Sequence, residues 1–173
     1  PGDQLVFESN ARTLAEKEGA ILRDSEKIKE LDARLESLKK CLKITGSDVV
    51  MWLPSHIKAL PKADEWQALG EAALAEAGKA LTRKASAFAN GAASDDSVIR
   101  EHALTRLLPD LGEQAAEVKP LLEQAAEQAG ADRSRLATEI SLADEAVANL
   151  KRQQADLRSR LPALMSEAGR KTI

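Results

Sequence analysis

Histidine and cysteine, the side chains best suited to metal binding and nucleophilic catalysis, are rare in this 173-residue chain. His56 and His102 are its two histidines, and Cys41 is its one cysteine. Neither histidine stands in the Glu-x-x-His pair that carboxylate di-iron bundles use. Cys41 lacks the second cysteine or nearby histidine of a zinc site, so we expect an ordinary residue on a helix surface or at the edge of a helix seam. The sequence therefore predicts no catalytic residue, no metal site and no cofactor, and a protein that is not an enzyme.

The densest apolar run of the chain is the first candidate binding site. It consists of Val49, Val50, Met51, Trp52 and Leu53. Exposed tryptophan and methionine often anchor protein partners, so the run could be a partner-binding tip. It could also cap the end of a helical core. We place recognition here because no other segment concentrates large apolar side chains outside the helical repeats.

Four cations close together near the C-terminal end form a second candidate site. They are Lys151, Arg152, Arg158 and Arg160. As a basic strip they could contact the phosphates of a nucleic acid, with binding that weakens as salt is added. The alternative is that they are solvated charges beside a helix seam. The net charge of −3 gives nucleic acid little general support, so a protein partner is the preferred expectation.

Composition indicates an all-α protein. Alanine and leucine account for 31 and 24 residues, and aromatic residues for 2% of the chain. Both common residues are strong helix formers, whereas β-sandwiches and barrels need more aromatic and β-branched residues. No apolar stretch approaches the ~20 residues of a membrane-spanning helix, so we expect no membrane insertion by this segment.

The elements that must position these candidate sites are four helices and one irregular distal segment. We predict them, in chain order, at residues 10–45, 46–62, 63–90, 97–129 and 132–168. In the first helix an apolar residue recurs every seven positions from Phe7 to Leu42, as in a coiled coil. We expect Pro109 to break the third helix and Pro120 to kink it. The fourth helix has the most regular seam, in which Gln154 is the one polar residue.

Antiparallel pairing of the third and fourth helices brings their heptad positions into phase. Leu122 then lies level with Ala143, and the chain reverses near residues 130–135. Such short connections join antiparallel neighbours in helical bundles.

Antiparallel pairing of the first and fourth helices also brings heptad positions into phase. It brings Leu14 level with Leu164, so that the numbers of paired residues add to 178. Gln154 then faces Asp24, a polar position in the seam of the first helix, and the two would form a polar layer.

Two all-α architectures satisfy these pairings. The preferred one is an antiparallel coiled-coil or four-helix up-down-up-down bundle with long first and last helices. The alternative is a two-helix coiled-coil stalk that carries a small helical head. Both bring the chain ends together, and the sequence does not begin with methionine. We therefore expect a single helical domain, residues 1–173, excised from a larger protein.

The function expected from these features is that of a coiled-coil module that spaces or docks protein partners. In outline it is similar to the antiparallel arm of ATPases of the chromosome-segregation and double-strand-break-repair class. The chain has, however, no ATPase motif and no Cys-x-x-Cys zinc hook. A helical sensory or receptor-binding domain outside the cytoplasm is the alternative, and an arm that contacts nucleic acid is a weaker one. A cytoplasmic location is slightly favoured, and the heptads would also allow the chain to form oligomers.

Overall fold

The chain is all-helical in a computed structural model, which describes residues 2–45 and 49–172, with side chains described to residue 161. No β-strand occurs in this part of the chain. The all-α fold class is therefore confirmed.

The described residues contain six α-helices, one 3₁₀ turn and one π-helical turn. In chain order they are α1 (Gly2–Ile44), a 3₁₀ turn (Val49–Trp52), α2 (Pro54–Ile57), α3 (Ala63–Ala68), α4 (Ala72–Ala92), α5 (Ser97–His102), a π-helical turn (Ala103–Leu107) and α6 (Leu108–Thr172). They divide into two compact units. The terminal unit comprises Pro1–Glu30 and Asp132–Ile173, and the central unit comprises Leu31–Ala131.

In the terminal unit, α1 and α6 face each other along stripes of buried and half-buried residues. The stripe of α1 recurs at steps of three and four, at Asp3, Phe7, Asn10, Leu14, Lys17, Ile21, Asp24 and Ile28. That of α6 contains Asp132, Leu136, Ile140, Ala143, Val147, Leu150, Gln154, Leu157 and Leu161. This spacing places one stripe on each helix. The stripe of α6 is mostly apolar and that of α1 is half polar, and both follow the seams expected from the sequence.

Polar contacts fix the register between these stripes, and it differs from the expected one. The Gln154 amide donates a hydrogen bond of 3.0 Å to the backbone carbonyl of Phe7, and the Asn10 amide donates one of 3.3 Å to Gln153. The predicted contact between Gln154 and Asp24 is therefore wrong. The observed pairs have residue numbers that add to roughly two heptads less than 178. A shift by whole heptads leaves every seam residue in the seam, so the spacing alone could not distinguish the two registers.

The helix α6 runs without interruption through residues 130–135, where a reversal was predicted. A glycine costs an α-helix only about 1 kcal/mol relative to alanine, and strong helix formers flank Gly130. The expected hairpin and the four-helix up-down-up-down bundle that depended on it are therefore wrong. Leu122 and Ala143 lie on one continuous helix, so they do not form the predicted pair between two helices.

The predicted helix over residues 63–90 is also divided. Gly70 has a φ of +80°, a left-handed conformation that glycine adopts at no steric cost, and it separates α3 from α4. The backbone N–H of Lys62 donates to the Glu65 carboxylate at 2.9 Å, which satisfies one donor at the start of α3.

Pro109 widens the helical path instead of breaking it. Proline has no N–H, and its ring clashes with the carbonyl four residues earlier. The turn Ala103–Leu107 that contains that carbonyl is π-helical, and α6 continues directly from it. Pro120 likewise lies within α6, which continues on both sides.

The central unit contains a continuous apolar core around α4. Its largest fully buried side chains are Trp52, Trp66, Phe88, Leu38, Leu74, Leu81, Leu111, Leu122 and Val118. The indole N–H of Trp66 donates to the Thr82 hydroxyl at 2.9 Å, and that hydroxyl donates to the carbonyl of Pro61 at 2.9 Å. These bonds satisfy the polar end of the buried ring and tie α3 to α4.

Candidate partner-binding surface

The apolar run singled out in the sequence is divided between the core and the surface. Trp52 is 1% exposed and belongs to the core of the central unit, and Met51 packs partly against that core. Val49, Val50 and Leu53 are 41%, 52% and 40% exposed. Trp52 therefore caps the core and is not the exposed anchor that a binding tip requires, while the other three residues display apolar surface. We call Val49, Val50 and Leu53 the apolar tip.

Local backbone bonds hold the apolar tip in place. The Leu53 carbonyl accepts hydrogen bonds from the backbone N–H of His56 at 2.9 Å and of Ile57 at 3.0 Å. Pro54 follows at the first position of α2, where its fixed φ suits a helix start. The exposed valines therefore lie on a segment that is anchored at two points: the hydrogen bonds of the Leu53 carbonyl to α2, and the buried side chain of Trp52.

The four cations of the basic strip have partners within the chain, which the sequence did not indicate. Lys151 Nζ lies 3.6 Å from the Glu18 carboxylate. Arg160 lies 3.1 Å from Asp156 and 3.8 Å from Asp3. Exposed ion pairs of this kind contribute about 0–1 kcal/mol each. They nevertheless engage these two cations with carboxylates of the chain itself.

The other two cations also have partners within the terminal unit. The Arg158 guanidinium lies 5.9 Å from the centroid of the Phe7 ring, a cation–π distance. Arg152 bonds to the side chain of Asn149. At 3.6 residues per turn, Lys151 and Arg158 share one side of α6, whereas Arg152 and Arg160 fall on other sides. The four side chains therefore do not form one continuous face.

Cys41 is buried in the central unit, with 3% of its surface exposed. Burial, followed by the negative charge of Glu65, raises the pKa of its thiol to about 11. Because the thiolate is the nucleophilic form, this environment suppresses cysteine chemistry. Cys41 is therefore a core residue and not the residue of a helix surface or seam edge that the sequence suggested.

A surface cleft in the central unit was not found from the sequence. It has a volume of about 260 Å³ and is lined by Arg83, Lys84, Ala87, Leu107 and Asp110. These side chains come from α4, the π-helical turn and α6, so no sequence motif unites them. We call these five residues the basic cleft.

A partly buried polar network lies beside the basic cleft. Lys84 Nζ donates to Asp110 at 3.2 Å and to the Gln114 side chain at 2.9 Å. Gln114, which is 7% exposed, donates in turn to the Ala77 carbonyl at 3.1 Å. This network satisfies the polar groups between α4 and α6, and it fixes Lys84 and Asp110 in position.

Within the described residues, no group of three or more histidine, cysteine, aspartate or glutamate side chains is arranged to hold a metal ion. No helix in the same residues is both long and apolar enough to cross a lipid bilayer. No family model matches the chain, and no match to a curated protein or to a solved structure is found.

Proposed function

We propose that this chain is a non-enzymatic helical module that docks a protein partner through the apolar tip and uses the terminal unit as a coiled-coil spacer. The observation that carries the proposal is the exposure of Val49, Val50 and Leu53 above the buried Trp52. The proposal assigns no catalytic residue, metal or cofactor to the chain.

The spacer part of the proposal is an antiparallel coiled coil between α1 and α6. Polar contacts join Asp3 to Arg160 and Asn10 to Gln153, so residue numbers fall along α6 as they rise along α1. Half-buried stripes with three-and-four spacing are the pattern of a two-helix seam. Under this register Leu14 and Leu150 come level.

A disulfide tests this register. In a Cys41→Ala background, Leu14→Cys with Leu150→Cys is expected to form an intrachain disulfide on mild oxidation. Level positions across an antiparallel seam lie closest to each other, which favours the bond. Non-reducing gel mobility with peptide mapping measures the bond. The matched control is Leu14→Cys with Leu164→Cys, the pair of the register predicted from the sequence, and preferential bonding of that pair would refute our assignment.

The docking part of the proposal rests on the fixed backbone of the apolar tip, which is ordered before a partner binds. Three aliphatic side chains lie on a segment whose backbone is already fixed by Trp52 and by the start of α2. A partner that covers them removes apolar surface from water, which contributes roughly 25 cal/mol per Å². It also spends little entropy on ordering the segment. The apolar tip therefore has the properties of an anchor for a protein surface.

Photo-crosslinking followed by reconstitution tests the docking role. A benzophenone amino acid at position 50 is expected to crosslink a specific protein, which is then purified and titrated against the chain. Val50→Asp is expected to weaken that binding at least about tenfold. Because Val50 is half exposed, this change should leave the helical circular dichroism unaltered.

The control is Val98→Asp, because Val98 is a 72% exposed valine on α5 of the same unit. It introduces the same charge away from the apolar tip and should leave the affinity unchanged. Equal losses in the two variants, or no loss in Val50→Asp, would contradict the docking role.

Nucleic-acid contact through Lys151, Arg152, Arg158 and Arg160 remains the weaker alternative. It is disfavoured by the partners that these cations have within the chain. A partner bound through the apolar tip would instead show little dependence on salt, because its contacts are uncharged.

A further inference from the structure

We propose that the basic cleft is a second docking surface, which takes an acidic amphipathic segment of a partner protein, with one large apolar side chain inside the cleft and carboxylates on its rim. This inference extends the proposed docking role to a different surface. Its test uses none of the residues of the apolar tip, so either proposal can fail while the other stands.

The size and lining of the basic cleft suit an apolar side chain. A cavity of ~150 Å³ accommodates benzene, and the cleft measures about 260 Å³. Ala87 and Leu107 supply its apolar lining.

The charges at the rim favour an anionic partner. Lys84 compensates Asp110 at 3.2 Å, so these two opposite charges largely cancel. Within the described residues, the Arg83 guanidinium has no ion pair and no hydrogen bond. The exposed Arg83 thus remains available at the edge of an apolar cleft.

The combination of apolar lining and arginine in the basic cleft favours a peptide over a nucleic acid as its ligand. Phosphate recognition needs cations and hydrogen-bond donors along a backbone, whereas this cleft offers apolar surface and an aspartate. An amphipathic segment places an apolar side chain and its neighbouring carboxylates on one side. Arginine pairs with such carboxylates through its planar fork of donors. The chemistry of the cleft therefore fits an acidic and apolar peptide.

A direct binding experiment uses the whole chain labelled with ¹⁵N. The probe is the synthetic peptide acetyl-Glu-Glu-Leu-Phe-Glu-Glu-amide, and the readout is the change of amide chemical shifts. Shifts are expected at Ala87 and Leu107, and they should shrink as salt is added. The peptide acetyl-Gln-Gln-Leu-Phe-Gln-Gln-amide, with the same apolar pair and no charge, is expected to bind at least about fivefold more weakly.

Two variants locate the peptide. Ala87→Phe fills the cleft from an exposed position and should abolish the shifts at Leu107. Arg83→Glu reverses an exposed charge and should weaken binding at least about fivefold. The matched controls are Ala73→Phe, at an exposed alanine also on α4 but outside the cleft, and Arg23→Glu in the terminal unit. Both should bind like the unmodified chain.

Three outcomes would overturn the inference. The first is equal binding of the neutral and acidic peptides. The second is unchanged binding in both Ala87→Phe and Arg83→Glu. The third is a single-stranded DNA oligonucleotide that produces the same shifts more strongly than the peptide, which would assign the cleft to phosphate.

Discussion

Replacing Trp52 with alanine is expected to lower the free energy of unfolding by about 3–5 kcal/mol. The side chain is 1% exposed and lies in the continuous core of the central unit. Its removal takes away the transfer free energy of a large apolar group and leaves a cavity that a densely packed interior fills only in part. Urea denaturation followed by circular dichroism measures the loss.

The control for this prediction is Val50→Ala, in the same 3₁₀ turn. Val50 is 52% exposed, and substitutions at such surface positions usually change the free energy of unfolding by less than about 0.5 kcal/mol. If Trp52→Ala and Val50→Ala unfold at the same urea concentration, Trp52 is not the core residue that the structure shows.

Under the proposed function, the two residues separate folding from recognition. Trp52, which is buried, supports the fold, whereas Val50, which is 52% exposed, contacts the partner. Under the proposed function, Val50→Asp reduces partner binding at unchanged stability, whereas Trp52→Ala reduces stability first. The sequence could not make this distinction, because apolar residue types alone do not indicate which of five neighbours are buried.

Periodicity predicted the seams of the terminal unit but not their register. The half-buried positions of α1 and α6 are those that the three-and-four spacing indicates, Phe7 and Leu14 among them. A heptad repeat has the same pattern after every seven residues, so a displacement by two heptads costs no seam contact. The polar residues of the seam were the remaining guide. They misled because Gln154 bonds to a backbone carbonyl, an acceptor that every residue offers.

The polar group at this position is only partly satisfied. Gln154 donates through its amide nitrogen, while its amide oxygen is buried and has no hydrogen-bond partner among the described residues. An unpaired buried acceptor costs roughly 1–3 kcal/mol. Gln154 therefore lowers the stability of the seam. The sequence prediction assumed that its amide would be fully hydrogen-bonded in a polar layer, and this assumption favoured the wrong register.

The basic cleft lay outside the reach of sequence analysis for a different reason. Arg83, Leu107 and Asp110 come from three elements, and their proximity depends on how α4 packs against the π-helical turn and α6. Pro109 lies just after that turn, and a proline in a helical pattern predicts a break. The physical information that was missing is the ability of a helix to widen by one residue per turn around a proline.

Replacing Gly78 with alanine is expected to lower the free energy of unfolding by about 3 kcal/mol. A Cβ atom at this position would overlap three ring atoms of Trp66. The ring is 0% exposed and is held by its hydrogen bond to Thr82, so it has no open space into which to move. The expected loss is notable because alanine normally stabilises a helix by about 1 kcal/mol relative to glycine. Thermal and urea unfolding of the purified variant measure it.

Gly130→Ala is expected to change the free energy of unfolding in the opposite direction. Gly130 lies inside α6 with a negative φ, and nothing lies within 4 Å of the Cβ that alanine would add. The substitution is therefore expected to raise the free energy of unfolding by about 0.5–1 kcal/mol, through helix propensity alone. A chain reversal at residues 130–135 would require a glycine in a left-handed turn, where alanine destabilises. A gain of stability in Gly130→Ala together with a loss in Gly78→Ala supports the continuous α6 and the close packing of Trp66. A loss in both variants would instead support the hairpin that the sequence suggested.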